Sequence, residues 1–265
     1  MSSKVAIVTG GSSGIGRETA LALQRAGCRV YEFSRRKRTA EDIIHVGCDV
    51  TDEEQVRMAI RQVLDAEARI DILINCAGFG ISGAVEYTAT EDAIRQMDVN
   101  FFGIVRVNRA VLPVMHAQGR GRIVNISSVA APAAIPFQAY YSASKAAINA
   151  YTQALANEVK PYGISVCAIM PGDIASGFTA ARAKSCDGDD AYGGRISASV
   201  AVMEKDEQGG MSPARAGAYI AKIALKEKVK PLYAIGFAYK AACFACDLLP
   251  CALRNWLIGK IYAQT

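Results

Sequence analysis

The sequence predicts a doubly wound α/β domain in which about seven parallel strands lie between helices on both faces of one sheet. Short runs rich in Val and Ile, typical of buried strands, alternate with stretches whose apolar residues recur every three or four positions. This alternation continues to about residue 170 with no internal repeat and no linker. Parallel strands need crossover helices, so such a chain covers both faces of its sheet. We therefore expect residues 1–265 to form one domain.

The apolar runs define the strands in order. They are Val5–Thr9, Arg29–Phe33, Ile43–Cys48, Asp71–Asn75, Arg122–Ile126 and Ile164–Ile169, with Pro231–Ile235 as a seventh. After the third run, Val56, Ile60 and Val63 repeat at helical spacing. Thr51 followed by Glu54 predicts a capping box at the start of that helix.

Composition excludes several classes of protein. The net charge of +5 is small and dispersed, which disfavours a nucleic-acid binder. The eight cysteines are too sparse for a disulfide scaffold, and no signal-peptide pattern precedes the first strand. The prediction is reduced thiols in a cytoplasmic protein without a metal site. Cys243 and Cys246 lack a second ligand pair and read as small apolar residues of a helix.

A glycine-rich turn follows the first strand and opens a helix. Gly10, Gly14 and Gly16 allow a sharp turn and a close approach of the backbone to a pyrophosphate. The helix N-terminus then presents free N–H groups to the phosphates. The residues predicted to form this dinucleotide site are Gly10, Ser12, Ser13, Gly14, Ile15, Gly16 and Arg17.

The end of the second strand bears on the choice between NAD and NADP. An NAD site normally has a carboxylate there, but Ser34 and Arg35 stand in its place, within a basic run that extends to Arg38. A guanidinium can bind a 2′-phosphate by two parallel hydrogen bonds, which favours NADP(H), with Arg17 as a second charge. The alternatives for this basic run are a solvated surface turn and a nuclear-localisation or nucleic-acid patch. Asp49 and Val50, after the third strand, could border the adenine, with a purely turn-closing role for Asp49 as the equal alternative.

Polar residues that can do chemistry follow the later strands. Tyr141 and Lys145 are four residues apart, on one face of a predicted helix. Ser127 and Ser128 end the fifth strand, and the thirteen-residue gap to Tyr141 favours Ser128. Upstream, Asn75, Cys76, Ala77 and Gly78 end the fourth strand, and Asn100 lies in a helical segment, Met97–Val107.

Together these motifs resemble the short-chain dehydrogenase/reductase family, in its branch of about 250-residue NAD(P)-dependent enzymes with a Rossmann domain. The matching motifs are Thr9 to Gly16, Asn75 to Gly78, Asn100, Ser128, Tyr141 with Lys145, and Pro171-Gly172 with Ser176. Two positions depart from the family pattern, because Cys76 replaces an Asn and Ser176 replaces a Thr. The hydroxyl is retained in the second case.

The resemblance implies a set of roles. Tyr141 would donate or accept the proton, and Ser128 would orient the substrate oxygen. Lys145, together with an oxidised nicotinamide, would stabilise the phenolate, and it would also hold the nicotinamide ribose. Asn100 would help to hold a water in a proton relay. Pro171, Gly172, Ile174 and Ser176 would contact the nicotinamide, and Asn75, Ala77 and Gly78 would border the cofactor. The family also implies a homodimer or homotetramer.

Two segments bear on the substrate. Residues 177–212 are polar and Gly-rich and predict a substrate loop. Residues 231–263 are apolar, and Lys240 and Asp247 disfavour a transmembrane span. This apolar C-terminal segment could form core and oligomer contacts, a lid over the site, or a helix at a membrane surface. The candidate lid residues are Phe237, Tyr239, Phe244, Leu248, Leu249 and Trp256.

The sequence therefore predicts an NADP(H)-dependent oxidoreductase that interconverts a secondary alcohol and a ketone on a bulky lipophilic substrate. The apolar C-terminus and a loose similarity to hydroxysteroid and retinol dehydrogenases favour a hydroxysteroid or bile acid, with a retinoid or 3-ketoacyl substrate as alternatives. Nucleotide-sugar epimerases of the family have a different glycine spacing. A non-enzymatic NADPH sensor would not need Asn100, Ser128, Tyr141 and Lys145 together.

Overall fold

A seven-stranded parallel sheet organises the computed structural model, which describes residues 3–37 and 42–263. Its strands are β1 (Val5–Thr9), β2 (Arg29–Ser34), β3 (Ile44–Gly47), β4 (Ile72–Asn75), β6 (Gly121–Ile126), β7 (Ile164–Met170) and β9 (Leu232–Ala234). The short strands β5 (Ile81–Ser82) and β8 (Ala183–Lys184) pair separately. The order β3-β2-β1-β4-β6-β7-β9 confirms the doubly wound prediction, and each predicted strand is present to within one residue at either end.

Helices cover both faces of this sheet. They are α1 (Gly14–Arg25), α2 (Glu53–Glu67), α3 (Thr90–Met97), α4 (Gly103–Gln118), α5 (Ala139–Val159), α6 (Phe178–Ala181), α7 (Arg195–Gln208), α8 (Pro213–Ala224), α9 (Phe237–Leu248) and α10 (Cys251–Tyr262). Single 3-10 turns occupy residues 85–87 and 160–162. None of the described helices is long and apolar enough to cross a bilayer.

The strands alternate their side chains between two cores. In β1, Val5 and Ile7 pack with the apolar residues of α2, α4 and α5, while Ala6 and Val8 pack with those of α1 and α8. Successive residues of a strand point to opposite faces, so a sheet covered on both sides requires apolar residues at every position. This requirement explains why the strands read as continuous apolar runs.

The start of α2 corrects one prediction. The N-cap is Asp52, whose Oδ1 accepts hydrogen bonds from the N–H groups of Glu54 (2.9 Å) and Gln55 (3.0 Å). The predicted capping box of Thr51 and Glu54 is wrong, because the Thr51 hydroxyl instead donates to Asp49 Oδ1 at 2.8 Å. A carboxylate one residue later satisfies two N–H groups of the helix.

Residues 177–212 are also more regular than predicted. They contain α6, β8 and the fourteen residues of α7, so most of the expected loop has secondary structure. The apolar residues Ile196, Val200 and Met203 of α7 are buried at helical spacing. The polar residues between them obscured this pattern in the sequence.

Candidate active site

A cavity of 970 Å³ opens at the carboxyl ends of the central strands. β1 and β4 are neighbours in the sheet, and the chain runs outward from them in opposite directions. The crevice at such a reversal of strand order is where α/β sheets bind ligands. Most of the predicted site residues line this cavity. They are Gly10, Ser12, Ser13, Gly14, Ile15, Gly16, Ser34, Arg35, Asp49, Val50, Ala77, Gly78, Ser128, Tyr141, Lys145, Pro171, Gly172, Ile174 and Ser176.

The turn after β1 depends on glycine at two positions. Gly10 has a φ of +67°, and a Cβ there would lie 2.9 Å from the backbone of Ala77. A Cβ on Gly16 would lie 2.3 Å from the carbonyl oxygen of Gly10. The first turn of α1 can therefore pack directly against the end of β1 only when no side chain intervenes.

The N-terminus of α1 faces the cavity. Ser13 caps the helix without a hydrogen bond from its side chain, and Ser13 to Gly16 all line the cavity. Backbone N–H groups at a helix start, together with the helix dipole, suit a pyrophosphate. The side chain of Arg17 does not line the cavity but forms an ion pair with Glu18 at 3.0 Å.

The end of the cavity next to β2 is basic. Arg35 lines it with a side chain that is 78% exposed, and its Nη1 lies 4.0 Å from Asp49 Oδ2. The acid of β2, Glu32, is fully buried against His45 and does not line the cavity. The strand end that would carry the ribose-binding acid of an NAD site thus offers Ser34 and a guanidinium. Arg38, also predicted here, lies outside the described residues.

Helix α5 brings Tyr141 and Lys145 to the middle of the cavity. Burial raises the pKa of Tyr141 to about 12, although a hydrogen bond with Ser128 acts in the opposite direction. Burial lowers the pKa of Lys145 to about 8. The ammonium Nζ donates to the carbonyl of Ile126 at 2.9 Å and lies 5.5 Å from the centre of the Tyr141 ring. The phenol is therefore held in its protonated form at neutral pH.

The two serines at the end of β6 have different partners. Ser127 Oγ donates to the carbonyl of Lys145 at 3.0 Å and so fixes helix α5 against the strand. Ser128 hydrogen-bonds Tyr141, and its Oγ also accepts from the N–H of Ala130 at 3.1 Å. This arrangement places Ser128, rather than Ser127, beside the phenol.

Asn100 lies behind the cavity wall in a π-helical turn, Asp98–Phe102, that joins α3 to α4. Its amide forms two hydrogen bonds of 3.0 Å with the backbone of Phe79, and its Nδ2 also donates to Ser144 Oγ at 3.1 Å. Such π-turns are frequent at functional sites, because they turn the chain out of helical register. The sequence indicated helix here but gave no sign of the altered register.

Asn75 is placed beneath the cavity and does not line it. Its Nδ2 donates to Asn108 Oδ1 at 2.8 Å and to Asn125 Oδ1 at 2.9 Å. Asn125 in turn donates to Thr152 at 2.9 Å. These buried amides tie β4 and β6 to helices α4 and α5, so the side chain supports the site from below.

The end of the cavity around Gly172 includes one predicted lid residue, Tyr239, and further residues that the sequence did not single out. Tyr239 lies against Gly172, where a Cβ would be 2.3 Å from its ring, and its hydroxyl donates to Asp173 Oδ2. Burial raises the pKa of Asp173. Further wall residues are Phe79, Ile135, Gln138, Phe178, Met203, Glu207 and Tyr262. Because they come from distant elements with no shared motif, only the fold could identify them.

Of the six predicted lid residues, only Tyr239 lines the cavity. Phe237, Phe244, Leu248 and Trp256 point to solvent, and Leu249 is half-buried outside the cavity. Helices α9 and α10 have apolar residues on both faces, so the predicted lid residues do not all point to the same side of their helix. Cys243 and Cys246 are free thiols, and no cluster of metal ligands occurs within residues 3–37 and 42–263.

Comparisons with known proteins agree with this geometry. The family model described as short chain dehydrogenase matches residues 4–187. A 3-ketodihydrosphingosine reductase from Bacteroides thetaiotaomicron is 39% identical, over 96% of this chain and 98% of its own length. A short-chain dehydrogenase from Streptomyces avermitilis superposes with a TM-score of 0.86 at 31% identity, over 97% of each chain. One from Burkholderia cenocepacia in complex with NADP gives 0.75 at 26% identity, again over 97% of each.

Proposed function

Because the chain belongs to the short-chain dehydrogenase/reductase family, we propose that it is an NADP(H)-dependent reductase that converts a ketone on a long-chain lipophilic substrate into a secondary alcohol. The observation that carries the proposal is the phenol of Tyr141, hydrogen-bonded to Ser128 in a cavity that is also lined by Lys145, by the glycine turn and by an apolar wall. Family members are oxidoreductases that bind NAD(P), and this chain retains the four residues on which their chemistry depends.

The protein's part in the reaction is to orient the carbonyl and supply a proton. When bound, the cofactor supplies the hydride. Ser128 and Tyr141 would donate hydrogen bonds to the substrate oxygen, and the phenol proton would pass to that oxygen as it becomes an alkoxide. A pKa of about 12 keeps this proton on Tyr141 at neutral pH, which suits the direction of reduction. The ammonium of Lys145 would stabilise the phenolate that remains.

The preference for NADPH rests on the basic end of the cavity. The side chain of Arg35 is exposed and would be free to bind a 2′-phosphate, whereas the carboxylate of Glu32 is buried and would not contact the ribose. The glycine turn suits a pyrophosphate, since Ser13 to Gly16 at the N-terminus of α1 line the cavity. The Burkholderia relative was solved with NADP, which supports the same choice.

For the substrate, we favour a long-chain amino ketone of the 3-ketodihydrosphingosine type. The Bacteroides relative bears that name and aligns over nearly the whole of both chains. The apolar side chains of Ile135, Phe178 and Met203 suit an alkyl chain. The same wall carries the carboxylates of Asp173, which accepts a hydrogen bond from Tyr239, and of Glu207, which forms an ion pair with Arg182. The hydroxysteroid or bile-acid prediction stays a competing hypothesis, together with retinoid and 3-ketoacyl substrates.

We also propose that the protein is a homodimer or homotetramer. Ile94 of α3 and Phe102 of the π-turn that contains Asn100 are exposed, and both line a shallow apolar hollow on the surface. Exposed apolar residues that share one surface favour association. Light scattering on the purified protein gives the number of subunits directly, and Ile94→Asp is expected to lower it.

Oxidation of NADPH by the purified protein tests the proposed function. The panel contains 3-ketodihydrosphingosine, a 3-ketosteroid, a bile acid ketone, retinal and a 3-ketoacyl thioester. We expect the sphingoid ketone to give the highest kcat/KM and Tyr141→Phe to lower kcat by about 10²–10⁴-fold. A steroid preference would replace the substrate assignment, and turnover of none of the panel would contradict it. NADPH binding without any reductase activity would favour the sensor hypothesis instead.

A further inference from the structure

The last two helices expose an unusual number of large apolar side chains. They form the C-terminal hairpin, defined here as α9, residues 249–250 and α10. Of thirteen exposed large hydrophobic residues in the described part of the chain, seven lie on this hairpin, with exposures from 39% to 88%. They are Phe237, Phe244, Leu248, Leu253, Trp256, Leu257 and Ile261. Exposed apolar patches of this kind mark a surface that meets an apolar partner.

The exposed residues follow helical spacing on each helix. On α9, Phe237, Phe244 and Leu248 are separated by seven and four residues, and so share one face. On α10, Leu253, Trp256, Leu257 and Ile261 likewise recur three or four residues apart. The opposite faces bury Cys243 of α9 and Ile258 of α10. Each helix therefore has one apolar side for the protein core and another that the protein leaves exposed.

The charge around this apolar surface is positive. The hairpin carries Lys240, Arg254 and Lys260 against a single acid, Asp247. Aromatic and basic residues beside an apolar helix face are the composition that suits the headgroup region of an anionic bilayer. A second copy of this surface would bring like charges together, which disfavours self-association through the hairpin.

We propose that the C-terminal hairpin docks this protein on the surface of an anionic lipid bilayer, with its exposed apolar residues in the headgroup and upper acyl region. The hairpin lies on that surface and does not span the membrane. Binding combines the burial of apolar side chains with attraction between lysines and anionic lipids.

The hairpin also forms part of the candidate active site. Tyr239 of α9 and Tyr262 of α10 line the cavity from the inner side of the helices that carry the exposed residues. A lipophilic substrate could therefore pass between bilayer and cavity next to the docked surface. This consequence rests on the proposed function, whereas docking itself does not.

Vesicle binding by the full-length protein tests the proposal. The probes are sedimentable vesicles of phosphatidylcholine alone and of phosphatidylcholine with about one-third phosphatidylglycerol. Trp256 is the only tryptophan in the chain, so its emission reports on the hairpin itself. We expect co-sedimentation with the anionic vesicles, weaker binding at high salt, and a blue shift of Trp256 emission on binding. Absence of sedimentation and of a shift with anionic vesicles would overturn the proposal.

A double variant tests whether vesicle binding depends on the hairpin or on other exposed apolar residues. Leu253→Ser with Leu257→Ser removes two exposed apolar residues but keeps Trp256 as reporter, and we expect about tenfold weaker vesicle binding. Met58→Ser with Val85→Ser, at exposed positions on α2 and in the 3-10 turn at residues 85–87, is the matched control and should bind normally. Both variants should reduce a water-soluble ketone as the wild type does, because none of these residues lines the active-site cavity.

The remaining outcomes distinguish docking from its rivals. If light scattering shows that the hairpin variant loses subunits while vesicle binding by the wild type is absent, the surface is an interface between copies and the proposal is wrong. Binding to vesicles by a protein that reduces none of the lipophilic ketones would contradict the proposed function alone. Equal weakening by the control variant would show that the hairpin is not the docking surface.

Discussion

Replacing Arg35 with alanine is expected to weaken the binding of NADPH and to leave the binding of NADH almost unchanged. The guanidinium lines the end of the cavity where we propose that the adenosine lies, and the distance of 4.0 Å to Asp49 leaves it available to a phosphate. A hydrogen bond to a charged group contributes about 1.5–3 kcal/mol. Because the Arg35 side chain is 78% exposed, solvent screening favours the lower part of that range. We therefore expect NADPH to bind about 10- to 30-fold more weakly, since about 1.4 kcal/mol is a factor of ten.

Fluorescence titration with NADPH and NADH measures this change. The affinity of Arg35→Ala for NADH should stay within about twofold of the wild type, because NADH has no 2′-phosphate. Lys37→Ala is the matched control, since it removes an exposed charge two residues away that does not line the cavity. Raising the ionic strength should also weaken NADPH binding more in the wild type than in the variant. Equal losses for both cofactors, or tighter binding of NADH by the wild type, would refute the reasoning.

Three further predictions concern the catalytic centre and its support. Tyr141→Phe should lower kcat for ketone reduction by about 10²–10⁴-fold, measured by NADPH oxidation, because the proton donor is lost while NADPH affinity is kept. The kcat/KM for reduction should fall as pH rises through about 8, because Lys145 has a pKa of about 8 and loses its charge there, while Tyr141 at about 12 stays protonated. Arg182→Met should lower the free energy of unfolding in urea by about 3 kcal/mol, since the buried guanidinium pairs with Glu207.

Each of these has its own control. If NADPH affinity falls together with kcat in Tyr141→Phe, the substitution has disturbed the cofactor site. The loss of activity would then not report on the phenol proton. Lys145→Arg keeps a positive charge at all these pH values, so the decline near pH 8 should disappear even if activity is lower; a wild-type decline near pH 10 would contradict the assignment. The double variant Arg182→Met with Glu207→Met should recover part of the lost stability. A loss below about 1 kcal/mol in the single variant would show that the pair is not a significant support.

Local patterns were sufficient to predict the sheet. Buried parallel strands need apolar residues at every position, so runs such as Val5–Thr9 stand out without any knowledge of neighbours. Helix starts were less certain, because Thr51 and Asp52 are both good caps and only the backbone decides which one satisfies the free N–H groups. Residues 195–208 were missed as a helix since their buried face is narrow.

The cofactor turn and the pair Tyr141 and Lys145 could be found in the sequence for a different reason. Their chemistry needs residues that are close along the chain, in one turn or one helix face, so spacing alone carries the information.

The sequence by itself determined the alternation of strands and helices, the glycine turn and the catalytic spacing, because each depends on interactions within a few residues. The tertiary structure decided what depends on residues distant along the chain. It set Asn75 beneath the cavity, Asn100 in a π-turn and Tyr239 against Gly172. It also decided which apolar residues of the C-terminal hairpin are buried and which are exposed. In helices that are apolar on both sides, only packing against the rest of the fold distinguishes the two faces.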